Sequence, residues 1–228
     1  MSAPTEWPLR RIRWSAACRI VPTRFPSVFL YDRVADPADF EALYALEAMT
    51  NDRVRDELGE IELVPAADRV FGPGSGPIMA AFTHLNPAGS RYSDGSYGMF
   101  YAARERRTAI RETQHHLGRF LAATSEAATH LQMRLYHVAI DARLHDLRGD
   151  DPALQAVHDP DRYEVARTLG RALRAAGSAG VAYRSVRDSG GECVGLFKPR
   201  AASGSVHAAH LLYAWDGTRF TDTYARLP

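Results

Sequence analysis

The segment from Asp159 to Pro199 leaves this chain few ways to fold. "DPDRYEVARTLGRALRAAG" reads as a helix, with Asp159 or Asp161 as its cap and Gly177 as its terminator. "GVAYRSV" and "ECVGLFKP" follow as two strands, with "RDSGG" as the turn between them. A helix followed by two strands across a turn breaks the strict βαβ alternation of a doubly wound parallel sheet. The fold class it indicates is α+β.

The rest of the chain agrees with that class. "ACRIV", Ala17 to Val21, reads as a short buried strand, and residues 1–17 as a poorly packed lead-in. "VPTRFPSVFLYDRV" carries two prolines and reads as irregular and extended. "ADPADFEALYALEAMTN" predicts a helix capped by Asp36, with Pro37 in its first turn. A second short helix is expected over Asp52–Leu58, ended by Gly59. The Gly- and Pro-rich run from Val64 to Gly98 is loop-like, interrupted by a short helix from Ile78 to Thr83. "MFYAA" is a strand, and Glu105 to Ala122 a helix with Ala109, Glu112, His116 and Phe120 along one side. A further strand is expected around Leu131–Ile140, and a hairpin in "HLLYAWDGTRF", bent at Asp216-Gly217. The expected organisation is one domain over residues 1–228, with 36–85 as a helical and loop elaboration within it.

Composition excludes several classes of function. A chain that is 46% hydrophobic can bury a core, and no apolar run reaches the ~18 residues of a membrane span. Its beginning lacks the roughly 7–15-residue apolar region of a secretory signal, so a cytoplasmic location is expected. Net charge is +1, which gives no global case for nucleic-acid binding. Cys18 and Cys193 read as two buried thiols, not as a disulfide framework or a zinc site. No phosphate-binding loop, dinucleotide fingerprint, zinc-protease helix or nucleophile elbow is present, and the histidines lack zinc-ligand spacing.

Chemistry concentrates in "SRYSDGSYGMFYAARERRTAIRETQHH", Ser90 to His116. Glu112 and His116 stand one helical turn apart and share a side. Arg91 precedes the strand across a turn of small residues, where backbone can approach a ligand closely and a guanidinium can grip an anion. A carboxylate in the same cleft is a poor neighbour for phosphate but a good one for positive charge developing on a sugar. That combination suits cleavage of an N-glycosidic bond in a dinucleotide: the arginine holds pyrophosphate and the carboxylate faces an oxocarbenium-like ribose. The bland alternative is an Arg–Glu pair bridging strand and helix with a surface Glu–His pair. Tyr92 and Tyr97 read as packing residues, His84 as a loop anchor, and Arg24 as surface or phosphate-facing.

From about Cys18 to about Arg200 the chain also resembles the RES-domain family, named for Arg, Glu and Ser positions. "CRIV" is similar to the family's opening strand, "SRYSDG" to its Gly/Ser-Arg-aromatic turn and "FYAA" to its "YLA" strand. "TAIRET" is similar to its "TAxxE" helix, "RTLGRALRAAGSAGVAYRSVR" to "QALGRALRAAGxDGIVYxSxR", and "ECVGLF" to its closing strand. The resemblance implies a fold like that of ADP-ribosyltransferases, with a mixed β-sheet core and a cleft for NAD. It implies a toxin of a bacterial toxin–antitoxin pair that cleaves the nicotinamide–ribose bond of NAD by phosphorolysis or hydrolysis. The alternatives are a mono-ADP-ribosyltransferase acting on one host protein, or a binding protein of the same fold without catalysis.

Carried over residue by residue, Arg19 and Arg91 bind the pyrophosphate and Tyr101 frames the nicotinamide ribose. Glu112 stabilises the ribosyl cation, and His116 and Ser185 orient substrate or acceptor. Glu164 occupies the position where relatives open the "SxxQALG" helix with serine, and Arg167 that of the glutamine. NAD is the implied substrate, inorganic phosphate the implied co-substrate, and no metal is implied. The implied partner is a small antitoxin with a helix-turn-helix DNA-binding region, so that this chain meets DNA only through it. Arg19, Arg91 and Glu112 are expected to converge on one pocket.

Overall fold

The computed structural model describes residues 7–24 and 59–226. Both helices expected between residues 35 and 58, and most of the extended stretch before them, lie outside the described residues. The α+β class holds. Seven strands form one mixed sheet: β1 (Leu9–Pro22), β2 (Phe100–Ala103), β3 (Thr129–Leu147), β4 (Gly180–Arg184), β5 (Glu192–Leu196), β6 (Ala202–Trp215) and β7 (Phe220–Arg226). Among the described residues four α-helices accompany them: α1 (Gly76–Thr83), α2 (Arg106–Ala123), α3 (Leu154–Val157) and α4 (Glu164–Ala175).

Strand order is β1-β2-β5-β4-β3-β6-β7, and β1 also pairs with β3. The extra pairing closes the first five strands into a ring, from which β6 and β7 continue. Only β3 and β4 run parallel. The length of β3 makes this possible. One edge takes β1 from Met133 to His145, and the other takes β6 over Thr129–Ile140 and then β4 over His145–Leu147.

Alternation along the strands builds two cores. On one face Phe100, Ala102, Tyr136, Val138, Ile140, Val194 and Leu196 pack with Ile78, Met79 and Phe82 of α1. On the other, Met99, Ala103, Met133, Leu135, Tyr183 and Cys193 pack with Tyr92, Ala109 of α2 and Leu169 and Leu173 of α4. Each large apolar side chain removed from water contributes about 1.5–3 kcal/mol, so these two layers hold the site's elements in place.

Three expectations need correction. Residues 9–17 are the first half of β1, not a lead-in. Arg10, Arg11 and Arg13 hide the strand because only Ile12 among Leu9–Trp14 is buried, while the register from Leu9–His145 to Trp14–Ile140 is continuous. β3 runs on to Leu147, well past Ile140. Phe120 is not on the packed side of α2. It is 53% exposed, and the helix packs through Ala109, Ile110, Leu117 and Leu121.

Candidate active site

Helix α2 carries the side chain around which the site forms. Glu112 is half-buried, and its Oε1 accepts a hydrogen bond from Ser185 Oγ at 2.6 Å. Ser185 lies just past the end of β4. Its Oγ also accepts from the backbone N–H groups of Arg187 (3.1 Å) and Asp188 (3.0 Å). A serine hydroxyl has one proton and two lone pairs. With both lone pairs occupied by N–H donors, the proton is committed to Glu112, so Ser185 orients the Glu112 carboxyl group and is not free as a nucleophile.

A second rung lies one turn earlier on the same helix face. Thr108 Oγ1 donates to Asp188 Oδ2 at 2.7 Å, and Arg107 Nε reaches the same oxygen at 3.1 Å. Thr108 and Glu112 thus strap the bend from Ser185 to Asp188 onto α2. Sequence reasoning missed Thr108 and Asp188. The signal was the Thr108, Glu112, His116 spacing of four.

Arg91 is 6% exposed and is built in by carbonyls, not by acids. Its Nη1 donates to Asp159 O (2.8 Å) and Val157 O (3.2 Å), and its guanidinium lies 4.5 Å from the centre of the Tyr163 ring. Nε and Nη2 make no hydrogen bond among the described residues. Arg187, also missed in the sequence, grips the same loop through Pro160 O, and its Nε is buried without a partner. Neither arginine has a carboxylate partner among the described residues, although most arginines of the chain's outer surface do.

Two histidines near these arginines are disfavoured as cations, first by desolvation and then by the neighbouring charges. His116 is exposed, one helical turn beyond Glu112 on α2. Desolvation first, then His115, Arg187, Arg91 and Arg119, push its pKa down to about 4. His115 is also lowered to about 4, by burial and then by Arg187 and Arg119. Both imidazoles are therefore neutral at physiological pH.

The turn that holds Arg91 is fixed from three sides. Tyr101 OH pairs with Ser90 Oγ at 2.8 Å and accepts from Tyr92 N at 3.2 Å. Burial, partly offset by these bonds, raises the Tyr101 phenol to about 12. Arg167 donates to Ser90 O (2.9 Å) and Ala88 O (2.8 Å). Tyr92 is fully buried, edge-on to Tyr183 with ring centres 5.1 Å apart. Gly170 of α4 abuts it so closely that a Cβ there would lie 2.1 Å from Tyr92 O.

Arg19 stands apart from this group. β1 and β2 share the single pair Cys18–Ala103 and then diverge. The Arg19 guanidinium bridges the gap, donating to Tyr101 O at 3.0 Å and lying 4.6 Å over the Phe100 ring. Phe100 and Tyr101 point to opposite faces of β2. Arg19 therefore sits with Phe100 and Tyr136 on one face, and Glu112, Ser185 and the Tyr101 ring lie on the other. Burial lowers its pKa to about 10, and its Nε has no partner. Arg91, Tyr101, Glu112, His116 and Ser185 are gathered around one loop system, and among the described residues Arg19 joins them only through the Tyr101 backbone.

The RES domain family model matches residues 66–216. The chain belongs to the RES domain family. Arg91, Tyr101, Glu112, His116 and Ser185 fall within the matched RES segment, and Arg19 falls before it. The chain is 29% identical over 209 residues to the uncharacterized protein y4oC of Sinorhizobium fredii (strain NBRC 101917 / NGR234), across 91% of this chain and 86% of that protein. It also superposes on a chain of the crystal structure of the M. tuberculosis MbcT–MbcA toxin–antitoxin complex, with a TM-score of 0.46 and 13% identity over 96% of this chain and 87% of that one. Among the described residues of this RES chain, no group of three or more His, Cys, Asp and Glu is placed to hold a metal ion, and no helix is long and apolar enough to cross a membrane.

Proposed function

We propose that this RES-domain chain cleaves the bond between nicotinamide and ribose in NAD and serves as the toxin of a toxin–antitoxin pair. The observation that carries the reading is the Ser185–Glu112 bond at 2.6 Å, near Arg91 and Arg187, which bond to carbonyls and have no acidic partner among the described residues. Breaking the C1′–N bond sends its electron pair to the nicotinamide ring, which leaves neutral. Positive charge then develops on the ribose, where a fixed carboxylate stabilises it and orients the ribose hydroxyls. Arg91 offers its unbonded Nε and Nη2 to the pyrophosphate, and Arg187 is a better second fork than Arg19, because it braces the same loop.

An oxygen of the acceptor then bonds to C1′. Phosphate gives ADP-ribose 1″-phosphate. Water gives ADP-ribose and a released proton. Neutral His116, exposed and one helical turn from Glu112, takes that proton. A cognate antitoxin with a helix-turn-helix region, the partner implied by the family, holds the toxin inactive in its own cell.

The test is mass spectrometry of NAD products from the purified chain, with and without inorganic phosphate, beside a Glu112→Gln variant. ADP-ribose or its 1″-phosphate, lost in the variant, is the expected result. NAD untouched by the parent chain, or consumed equally by Glu112→Gln, would overturn the reading. A mass increase on an added protein would direct it to ADP-ribosyl transfer.

A further inference from the structure

Among the described residues, the first half of β1 is an open sheet edge. Asp146 N donates to Pro8 O at 2.8 Å, which fixes the phase of the antiparallel β1–β3 ladder. Bonded and non-bonded pairs alternate from there. Arg10, Ile12 and Trp14 face their partners on β3, while Leu9, Arg11 and Arg13 turn their N–H and C=O groups to the other side. That side receives β2 only at Cys18–Ala103. Among the described residues nothing pairs with the backbone of Leu9, Arg11 or Arg13 there.

Beside this edge lies an open hollow of about 470 Å³, lined by Arg11, Ile12, Arg13, Trp14, Arg104 and Arg148. Its charge is one-sided. Five guanidinium groups, those of Arg10, Arg11, Arg13, Arg104 and Arg148, share the three carboxylates of Asp141, Asp146 and Glu192. Side chains also divide by face: Arg11 and Arg13 project to one side of the strand, and Ile12 and Trp14 to the other.

We propose that this edge accepts an extended acidic segment of a protein partner as an added strand. The free N–H and C=O groups supply the ladder, and the surplus of guanidinium groups supplies the selection. The complementary segment alternates acidic residues, facing Arg11 and Arg13, with apolar residues on the Ile12 and Trp14 side. Arginine on an edge is otherwise a guard against self-pairing, because two copies would align like charges. The same guard admits an acidic strand. A nucleic acid would match the charge and leave the backbone edge unused. The inference is independent of any reaction at Glu112.

The test uses the full chain and a short capped peptide of alternating valine and glutamate. Two controls accompany it: the valine–lysine counterpart, and the acidic peptide N-methylated at alternate residues, which keeps its charge and loses its ladder. Binding is followed by titration, and the site by amide hydrogen exchange. The acidic peptide is expected to bind and to slow exchange at Leu9–Arg13, while both controls fail. The double variant Arg11→Glu with Arg13→Glu, both side chains largely exposed, should weaken binding by about tenfold. The peptide comparison is made on the unaltered chain, so it stands whether or not the variant folds. No binding by the acidic peptide, equal binding of either control, or protection confined to other strands overturns the proposal. So does sedimentation showing the edge occupied by a second copy.

Discussion

Ser185 and Glu112 lie 73 residues apart in the chain, yet the hydroxyl proton of the first has one destination, the carboxylate of the second. Two backbone N–H donors fill the serine's lone pairs and leave no alternative rotamer that keeps all three bonds. The carboxylate is aimed before any ligand arrives, and preorganisation of this kind is the largest contribution most active sites make.

Glu112→Gln keeps the shape and most of the hydrogen bonding but removes the charge. NAD turnover should fall by at least about a hundredfold, with little change in thermal stability. Ser185→Ala leaves the charge and loosens its aim, and should cost about tenfold, the worth of a hydrogen bond to a charged group. Turnover and melting temperature of both variants check this. Equal losses in the two would mean that Ser185 does more than orient.

The pH dependence follows from the histidines. His115 and His116 titrate near 4 when folded, against an ordinary value of 6.5. Between those values the unfolded chain binds more protons than the folded one. Stability therefore rises with pH across that window, is flat above it, and is lost as pH falls from about 6.5 toward 4. Urea melts across the window should show this slope, reduced in His116→Gln. Arg187→Gln should raise the His116 pKa as read by NMR. A His116 that titrates at its ordinary value would refute the picture of a desolvated imidazole beside Arg187 and Arg91.

Much of this architecture could be read from local pattern, and the limits have physical causes. Helix α2 and the turn at Asp216-Gly217 were legible because periodicity and turn chemistry are local signals. The Glu112–His116 spacing pointed to the candidate site for the same reason. β1 before Ala17 was not legible, because its partner is β3, more than a hundred residues away, and arginines mask its alternation. Arg187 was hidden in a turn whose role depends on the 157–160 loop. Arg19 lay in the right motif, but strand parity, which a motif does not state, puts it on the Phe100 face.

Arg91 tests whether a fork or only a charge is required. Arg91→Lys keeps the charge, but it gives up the planar stacking on Tyr163 and cannot bond two carbonyls while presenting further N–H groups outward. The expected result is a rise in KM for NAD of about tenfold or more, with a lower melting temperature. Arg187→Gln should raise KM with a smaller effect on stability, because Arg187 is less buried. Unchanged KM in both would remove the anion grip from the proposed chemistry.

Gly170 links packing to the site. Alanine there would press its Cβ onto Tyr92 O at 2.1 Å, against backbone that cannot swing aside. Gly170→Ala should destabilise the fold by about 1–3 kcal/mol and displace the Arg91 turn. Denaturant melts measure the first effect. The second appears as a loss of NAD affinity larger than the unfolded fraction explains.

Glu164 separates two candidates for the family serine. It opens α4 at its first residue with an exposed side chain, and among the described residues that side chain makes no hydrogen bond to the Glu112 bend. Ser185 already fills the orienting role. Restoring the family residue, Glu164→Ser, should therefore leave NAD turnover within about twofold of the parent and change stability by only a few tenths of a kcal/mol, through loss of an acid near the helix N-terminus. Steady-state turnover beside a melt decides it. A tenfold gain would show that the serine at the head of α4, and not Ser185, is the one the chemistry needs.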